Sequence, residues 1–181
     1  MECKLFEKDI ERKTVFKGKV FDIDSATVEL PDGSVGRRDV MCHPGGVGVL
    51  AVDSQLNVYM VRQYRYGASE VLFEIPAGKL NYGEDPLTCG KRELEEETGL
   101  ICDNLISLGE LYPTPAISSE KIYIYLAREF RKGTVHLDED EYLNVEKISF
   151  IDLYNMVLNN EVTDAKTQIA VLKAYHMLDL G

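Results

Sequence analysis

The sequence predicts an α+β fold: a mixed sheet with helices on either side, preceded by a small antiparallel β extension. Three observations carry this. Short runs rich in Val, Ile, Tyr and Thr recur from the N-terminus to Ser149. One well-punctuated helix interrupts them between Asp85 and Gly99, and two helical stretches follow the last strand. A chain of 181 residues is ample for one domain with a real core and a small addition.

The first piece reads as three strands, about Lys4–Lys13, Val15–Leu30 and Ser34–Cys42, with Pro31-Asp32-Gly33 as a turn. It is polar and short of apolar residues for its own core, so it is expected to pair with something else. Cys42-His43-Pro44-Gly45-Gly46 breaks the pattern and sets a boundary between residues 1–43 and 44–181. Strands are then expected at Val47–Val52, at Asn57–Tyr66 after a turn at Asp53-Ser54-Gln55, and at Val71–Ile75. In the second of these, Val58, Met60 and Arg62 alternate against Tyr59, Val61 and Gln63. Ile101–Leu111, the β-rich Lys121–Phe130 and Tyr142–Ser149 complete the strands. Helices are expected at Ile151–Asn159 and Thr163–Leu178, the second with Ile169, Leu172, Tyr175 and Leu178 at helical spacing.

The helix after Asp85 carries the chemistry. Asp85 suits its cap, Pro86 its first turn, and Gly99 a left-handed C-terminal position. Leu87, Gly90 and Leu94 form a narrow apolar stripe that can dock it. Four of the six residues from Arg92 to Glu97 are glutamates, and Glu93, Glu96 and Glu97 fall at i, i+3 and i+4 on one face. Like charges stacked this way destabilise a bare helix, so a divalent cation is the natural compensation. Glu95 points elsewhere and is expected to be solvated. Cys89 lies near the acidic face, where packing is its expected role.

Composition narrows the partners. A net charge of −11 argues against a nucleic-acid backbone, which needs a basic surface. It leaves room for a small anion screened by metal ions. Cys3, Cys42, Cys89 and Cys102 have no CxxC spacing, which favours reduced thiols and a cytoplasmic setting. The N-terminus has no apolar stretch of signal-peptide length and no run could span a bilayer, so no membrane partner is expected.

Gly78-x5-Glu84-x7-Arg92-Glu93-Leu94-Glu95-Glu96-Glu97-Thr98-Gly99-Leu100 resembles a complete Nudix box, the loop–helix–loop signature of hydrolases of nucleoside diphosphates linked to another group. The resemblance implies a Nudix-type α/β/α sandwich. It also implies magnesium, or manganese, held by Glu93 and Glu97 with the Ala77 carbonyl; Glu96 completes the helical carboxylate set. Gly78, Glu84 and Gly99 are structural in the box, and Arg92, counted with the catalytic set, braces the loop against the helix through Glu84. Val61-Arg62-Gln63-Tyr64-Arg65, Glu74-Ile75-Pro76-Ala77-Gly78 and Pro115 in Tyr112-Pro113-Thr114-Pro115 are similar to the ADP-ribose pyrophosphatase branch. In that branch the first three strands form a domain-swapped homodimer and the general base comes from an acidic loop. Leu137-Asp138-Glu139-Asp140-Glu141-Tyr142 matches the loop, with Glu139 as base and Glu141 as a further metal ligand.

Arg62 and Arg65 are candidates for gripping phosphate or the terminal ribose, and Arg37 and Arg38 for reaching a neighbour's cleft. Tyr64 and Tyr112 are candidates for stacking on adenine, while His43, His136 and His176 lack partner motifs and are read as structural. The expected reaction is metal-dependent hydrolysis of ADP-ribose, a small-molecule nucleotide, to AMP and ribose 5-phosphate. Hydrolysis of a nucleotide sugar or dinucleotide, and a non-catalytic nucleotide-binding module, are the alternatives.

Overall fold

The computed structural model describes residues 5–137, 139 and 141–180. Cys3, the expected strand start at Lys4, and Asp138 and Asp140 of the acidic segment lie outside the described residues. The chain forms two compact units. One holds the described residues up to Gly45 together with Tyr112–Lys121, and the other holds Gly46–Leu111 and the chain from Ile122 onward.

The first unit contains a three-stranded antiparallel sheet, β1 (Lys8–Lys17), β2 (Asp22–Glu29) and β3 (Val35–Cys42), in the order β1-β2-β3. The first turn falls later than the sequence suggested. Gly18 donates to the Phe21 carbonyl at 3.1 Å, so the Thr- and Val-rich stretch through Phe16 belongs to β1. Every residue of β1 is exposed, whereas Ala26 and Val28 on the central strand are buried.

The second unit is built on a seven-stranded mixed sheet. Its main path is β12 (Leu143–Ser149), β5 (Asn57–Arg65), β4 (Gly46–Val52), β10 (Ile122–Ala127) and β9 (Leu105–Leu111). The β4–β10 pair is parallel and the rest are antiparallel. β6 (Glu70–Glu74) pairs with β5, and β7 (Ala77–Lys79), a short strand that sequence patterning missed, pairs with β4. The expected strand Ile101–Leu111 is split into β8 (Leu100–Ile101) and β9; β8 pairs instead with β11 (Arg131–Lys132).

Helix α1 (Pro86–Thr98) covers one face of this sheet, and α2 (Phe150–Leu158) and α3 (Ala165–Met177) cover the other. The period-two alternation of β4 sorts its residues between them: Val47, Val49 and Ala51 pack with Leu94 and Cys89 of α1, while Leu50 and Val52 pack with Phe150, Leu153 and Val171. Because both faces are covered, Val58 and Met60 on one face of β5 and Val61 on the other are all buried. The stripe expected on α3 is met in part, with Tyr175 and Leu178 packed against the core. Ala170, Val171 and Ala174 face the core and Leu172 is exposed, because the small alanines let the helix approach the sheet closely.

Candidate active site

The local sequence fixes α1 at both ends. The Asp85 carboxylate accepts from the Thr88 N–H at 3.0 Å, Pro86 occupies the first turn, and Gly99 closes the helix at φ 67° with its N–H on the Glu95 carbonyl. Gly90 and Leu94 dock the helix, but Leu87 is 37 % exposed and lies outside the packed stripe. Cys89 takes its place, its Sγ buried 3.6 Å from the Lys79 carbonyl oxygen, where burial pushes the thiol up to about 12. Its burial fits the packing role expected of it.

This docking turns Glu93 and Glu97 inward, and both are buried. The Glu93 carboxyl rests directly on Gly78: a Cβ there would sit 2.0 Å from its carbon, so only glycine permits the approach. One oxygen of Glu97 accepts from the Ala77 N–H at 2.9 Å, and its other oxygen is buried with no partner. Burial, aided by repulsion from Glu141 and Glu93, pushes the Glu97 carboxyl up to about 8 despite the Ala77 N–H. Burial also raises Glu93, against the pull of Arg92.

Arg92 is the cation at the centre. It grips Glu84 through two hydrogen bonds of 2.9 and 3.0 Å, and bonds Glu93 at 2.7 Å and Glu96 at 2.8 Å. The Arg92 fork holds the Glu84 carboxyl down at about 2. Glu84 also accepts from the Asn81 N–H at 2.8 Å, so the loop between β7 and α1 is strapped to the helix. Glu95 is half-buried, less solvated than expected.

A cleft of about 290 Å³ is lined by Ala77, Gly78, Arg92, Glu93, Glu96 and Glu141 together with Arg65, Lys79 and Asn81. A second, of about 380 Å³, lies between β5 and the acidic loop, with Arg62, Tyr64, Val71 and Tyr142 on its walls. Glu141 lines both. Its carboxylate accepts from Gln63 Nε2 at 3.1 Å. Glu139, expected as the base, is exposed.

Arg62 is engaged by Glu146 at 2.5 Å and lies 4.3 Å over the Phe73 ring. Arg65 forks onto buried Glu74. Arg38 pairs with Glu7, and Pro115 sits in a turn closed by the Ser118 N–H on the Thr114 carbonyl; both belong to the first unit, as do Arg37 and Tyr112. Gln63, Lys79, Asn81 and Tyr142 were not anticipated as site residues. The alternation Arg62–Tyr64 against Gln63–Arg65 carried a signal for Gln63, since Arg65 and Gln63 share a strand face.

The oxygen-rich set suits a hard divalent cation. Glu97 keeps one buried oxygen without a partner, beside a second carboxylate that burial also raises, and such a pair favours a nearby divalent cation. Among the described residues no three acidic, His or Cys side chains already converge as an ion cage, because Arg92 holds Glu93 and Glu96.

Residues 43–170 match the NUDIX domain family model, and the chain belongs to the Nudix family. It is 40% identical over 169 residues to an ADP-ribose pyrophosphatase of Bacillus subtilis (strain 168), covering 92% of this chain and 91% of that protein. It is 37% identical to a methanol dehydrogenase activator of Bacillus methanolicus, covering 93% and 92%. A solved structure described as an ADP compounds hydrolase superposes with a TM-score of 0.83 at 21% identity, over 97% of this chain and 96% of that one, which supports the fold.

Proposed function

We propose that this Nudix protein hydrolyses the diphosphate of ADP-ribose to AMP and ribose 5-phosphate, with magnesium as the resident ion. The observation that carries this reading is the buried, under-satisfied Glu97 beside Glu93, with Glu93 lining a cleft that shares Glu141 with a second one. The first cleft suits a metal-bound diphosphate and the second suits one of its two flanking groups. The similarity to the Bacillus subtilis pyrophosphatase supports ADP-ribose among such compounds.

Glu93, Glu97 and Glu141, with Glu96 and the Ala77 carbonyl, would hold the ion. When bound, it screens the diphosphate and acidifies water. The protein's own groups do the rest. Arg92 and Glu84 keep loop and helix in register, Gln63 holds Glu141 at the cleft, and Arg65 offers a guanidinium to phosphate. Arg62, with its ion pair broken or shared, would meet the terminal ribose or phosphate. Glu139, which is exposed, is the proposed base. Pro115 is retained as a selectivity determinant and Arg38 as a contact to a second copy's substrate.

We also propose a homodimer through the β1–β3 sheet, a cytoplasmic location favoured by free Cys42, Cys89 and Cys102, and no nucleic-acid partner given the acidic charge. Among the described residues no helix is long and apolar enough to cross a membrane.

The test is product analysis with magnesium present or chelated, on ADP-ribose, NADH, a GDP-sugar, a dinucleoside polyphosphate and ATP. Metal-dependent AMP release chiefly from ADP-ribose is expected; preference for another compound would replace the substrate, and no turnover would replace the enzyme reading. The similarity to the Bacillus methanolicus activator favours a second reading, in which a dehydrogenase is the protein's target. Stimulation of a methanol dehydrogenase by the wild-type chain would support it.

A further inference from the structure

Glu74, the last residue of β6, is 1 % exposed. Its oxygens accept from Arg65 Nε at 2.8 Å and Nη2 at 2.9 Å, and the second oxygen also meets Lys166 Nζ. Lys166, on the first turn of α3, is only 9 % exposed and also bonds Asp164 Oδ1 at 2.9 Å. Taking an ammonium out of water is costly, so this placement needs a cause.

Docking of α3 does not supply one. Asp164 already caps the helix by accepting from the Thr167 N–H at 2.9 Å, and the buried Thr167 hydroxyl accepts from the Ile75 N–H at 2.9 Å. Nonpolar contacts of Ala170, Val171 and Ala174 complete the attachment. The charge matters elsewhere. Arg65, on β5, lines the carboxylate cleft with its side chain 37 % exposed. With Lys166 in place, two cations balance Glu74 and Asp164; without it, Arg65 alone would face both anions and its attraction for phosphate would be spent inside the protein.

We infer that Lys166 is a positioning residue for substrate binding: it holds and neutralises Glu74, so that Glu74 fixes the Arg65 guanidinium at the cleft with its charge left to meet the diphosphate. This rests on the reading of that cleft as a diphosphate site. The bidentate Arg65–Glu74 fork sets direction, the Lys166–Asp164 pair sets charge, and the network ties β5 and β6 to the first turn of α3.

The experiment is a double-mutant cycle of Lys166→Met with Arg65→Ala, read by KM and kcat for ADP-ribose and by calorimetric binding of inorganic diphosphate in magnesium. Lys166→Met is expected to raise KM about 5- to 10-fold with kcat within about twofold, and to weaken diphosphate binding by a like factor. In the Arg65→Ala background it is expected to change neither. Equal effects in both backgrounds, or an unchanged KM in the single variant, would overturn the inference. Should the Met variant unfold, Lys166→Gln keeps a donor to Glu74 while removing the charge, and the same non-additivity is expected. Lys166-dependent diphosphate binding without ADP-ribose turnover would remove the substrate reading and support the inference. Wild-type turnover with unaltered Lys166 variants would do the reverse.

Discussion

A carboxylate buried without a partner for one oxygen is costly, and Glu97 is such a group. Its replacement by Gln removes the charge while leaving an acceptor for the Ala77 N–H. The metal-free variant should therefore melt at or above the wild-type temperature, lose the melting increment that magnesium gives the wild type, and lose turnover. Thermal melts with and without magnesium check the first two, and a variant that still gains stability from magnesium would remove Glu97 from the metal set. Gly78 makes the converse case. A methyl group at Gly78 would collide with the Glu93 carboxyl 2.0 Å away, and that carboxyl must swing out. Gly78→Ala is expected to lower kcat roughly 100-fold, as displacing a catalytic group by about 1 Å does, with the circular dichroism spectrum unchanged. Glu139→Gln should likewise cut kcat about 100-fold or more without unfolding; if activity persists, Glu141 is the base.

At the scale of elements, the turn between β4 and β5 offers a pH prediction. Burial alone would raise the Asp53 carboxyl, but Lys147, 2.8 Å away, and the N–H groups of Asn57 and Gln55 overcome it and hold Asp53 at about 2, below its ordinary 3.8. A depressed folded-state value means stabilisation that is complete above the unfolded value and is lost as pH falls from about 4 towards 2. Asp53→Asn should reduce stability at neutral pH by roughly 1 kcal/mol, allowing for solvent screening at Lys147, and flatten that part of the acid-unfolding curve. Denaturant melts across that pH range check both. The loop–helix strap at the site obeys the same logic: Glu84 belongs to the loop and Arg92 to α1, and their two hydrogen bonds hold a charged pair across the two elements.

For the whole molecule, the exposed sheet of the first unit is the outstanding feature. Ile10, Val15 and Phe16 on β1 and Val35 on β3 are all more than half exposed, and both strands are sheet edges. Open apolar edges of this kind invite association, in accord with the proposed dimer. Light scattering at micromolar concentration should return twice the mass of one chain, and Ile10→Lys combined with Phe16→Lys should return a single chain with the second unit still folded. A wild-type mass of one chain would end the dimer proposal. Such a variant would also show whether the site in the second unit works without a neighbour, and so whether Arg38 of one copy serves the other.

What the sequence by itself determined was local. The ends of α1 follow from Asp85, Pro86 and Gly99, because caps depend on residues within one helical turn. The shared face of Glu93, Glu96 and Glu97 follows from helical geometry, and the Glu84–Arg92 brace from a fixed spacing across a short loop. Tertiary structure decided what depends on distant partners. Only packing could bury Lys166 beside Glu74, 92 residues away in sequence, or bring Gln63 to Glu141. Only the covering of both sheet faces could bury successive residues of β5, and only the docking of α3 could bury Ala170 and Ala174 while leaving Leu172 exposed. Side-chain periodicity reports which residues share a face; which face meets the core, and which charge meets which, is set by what the rest of the chain places opposite.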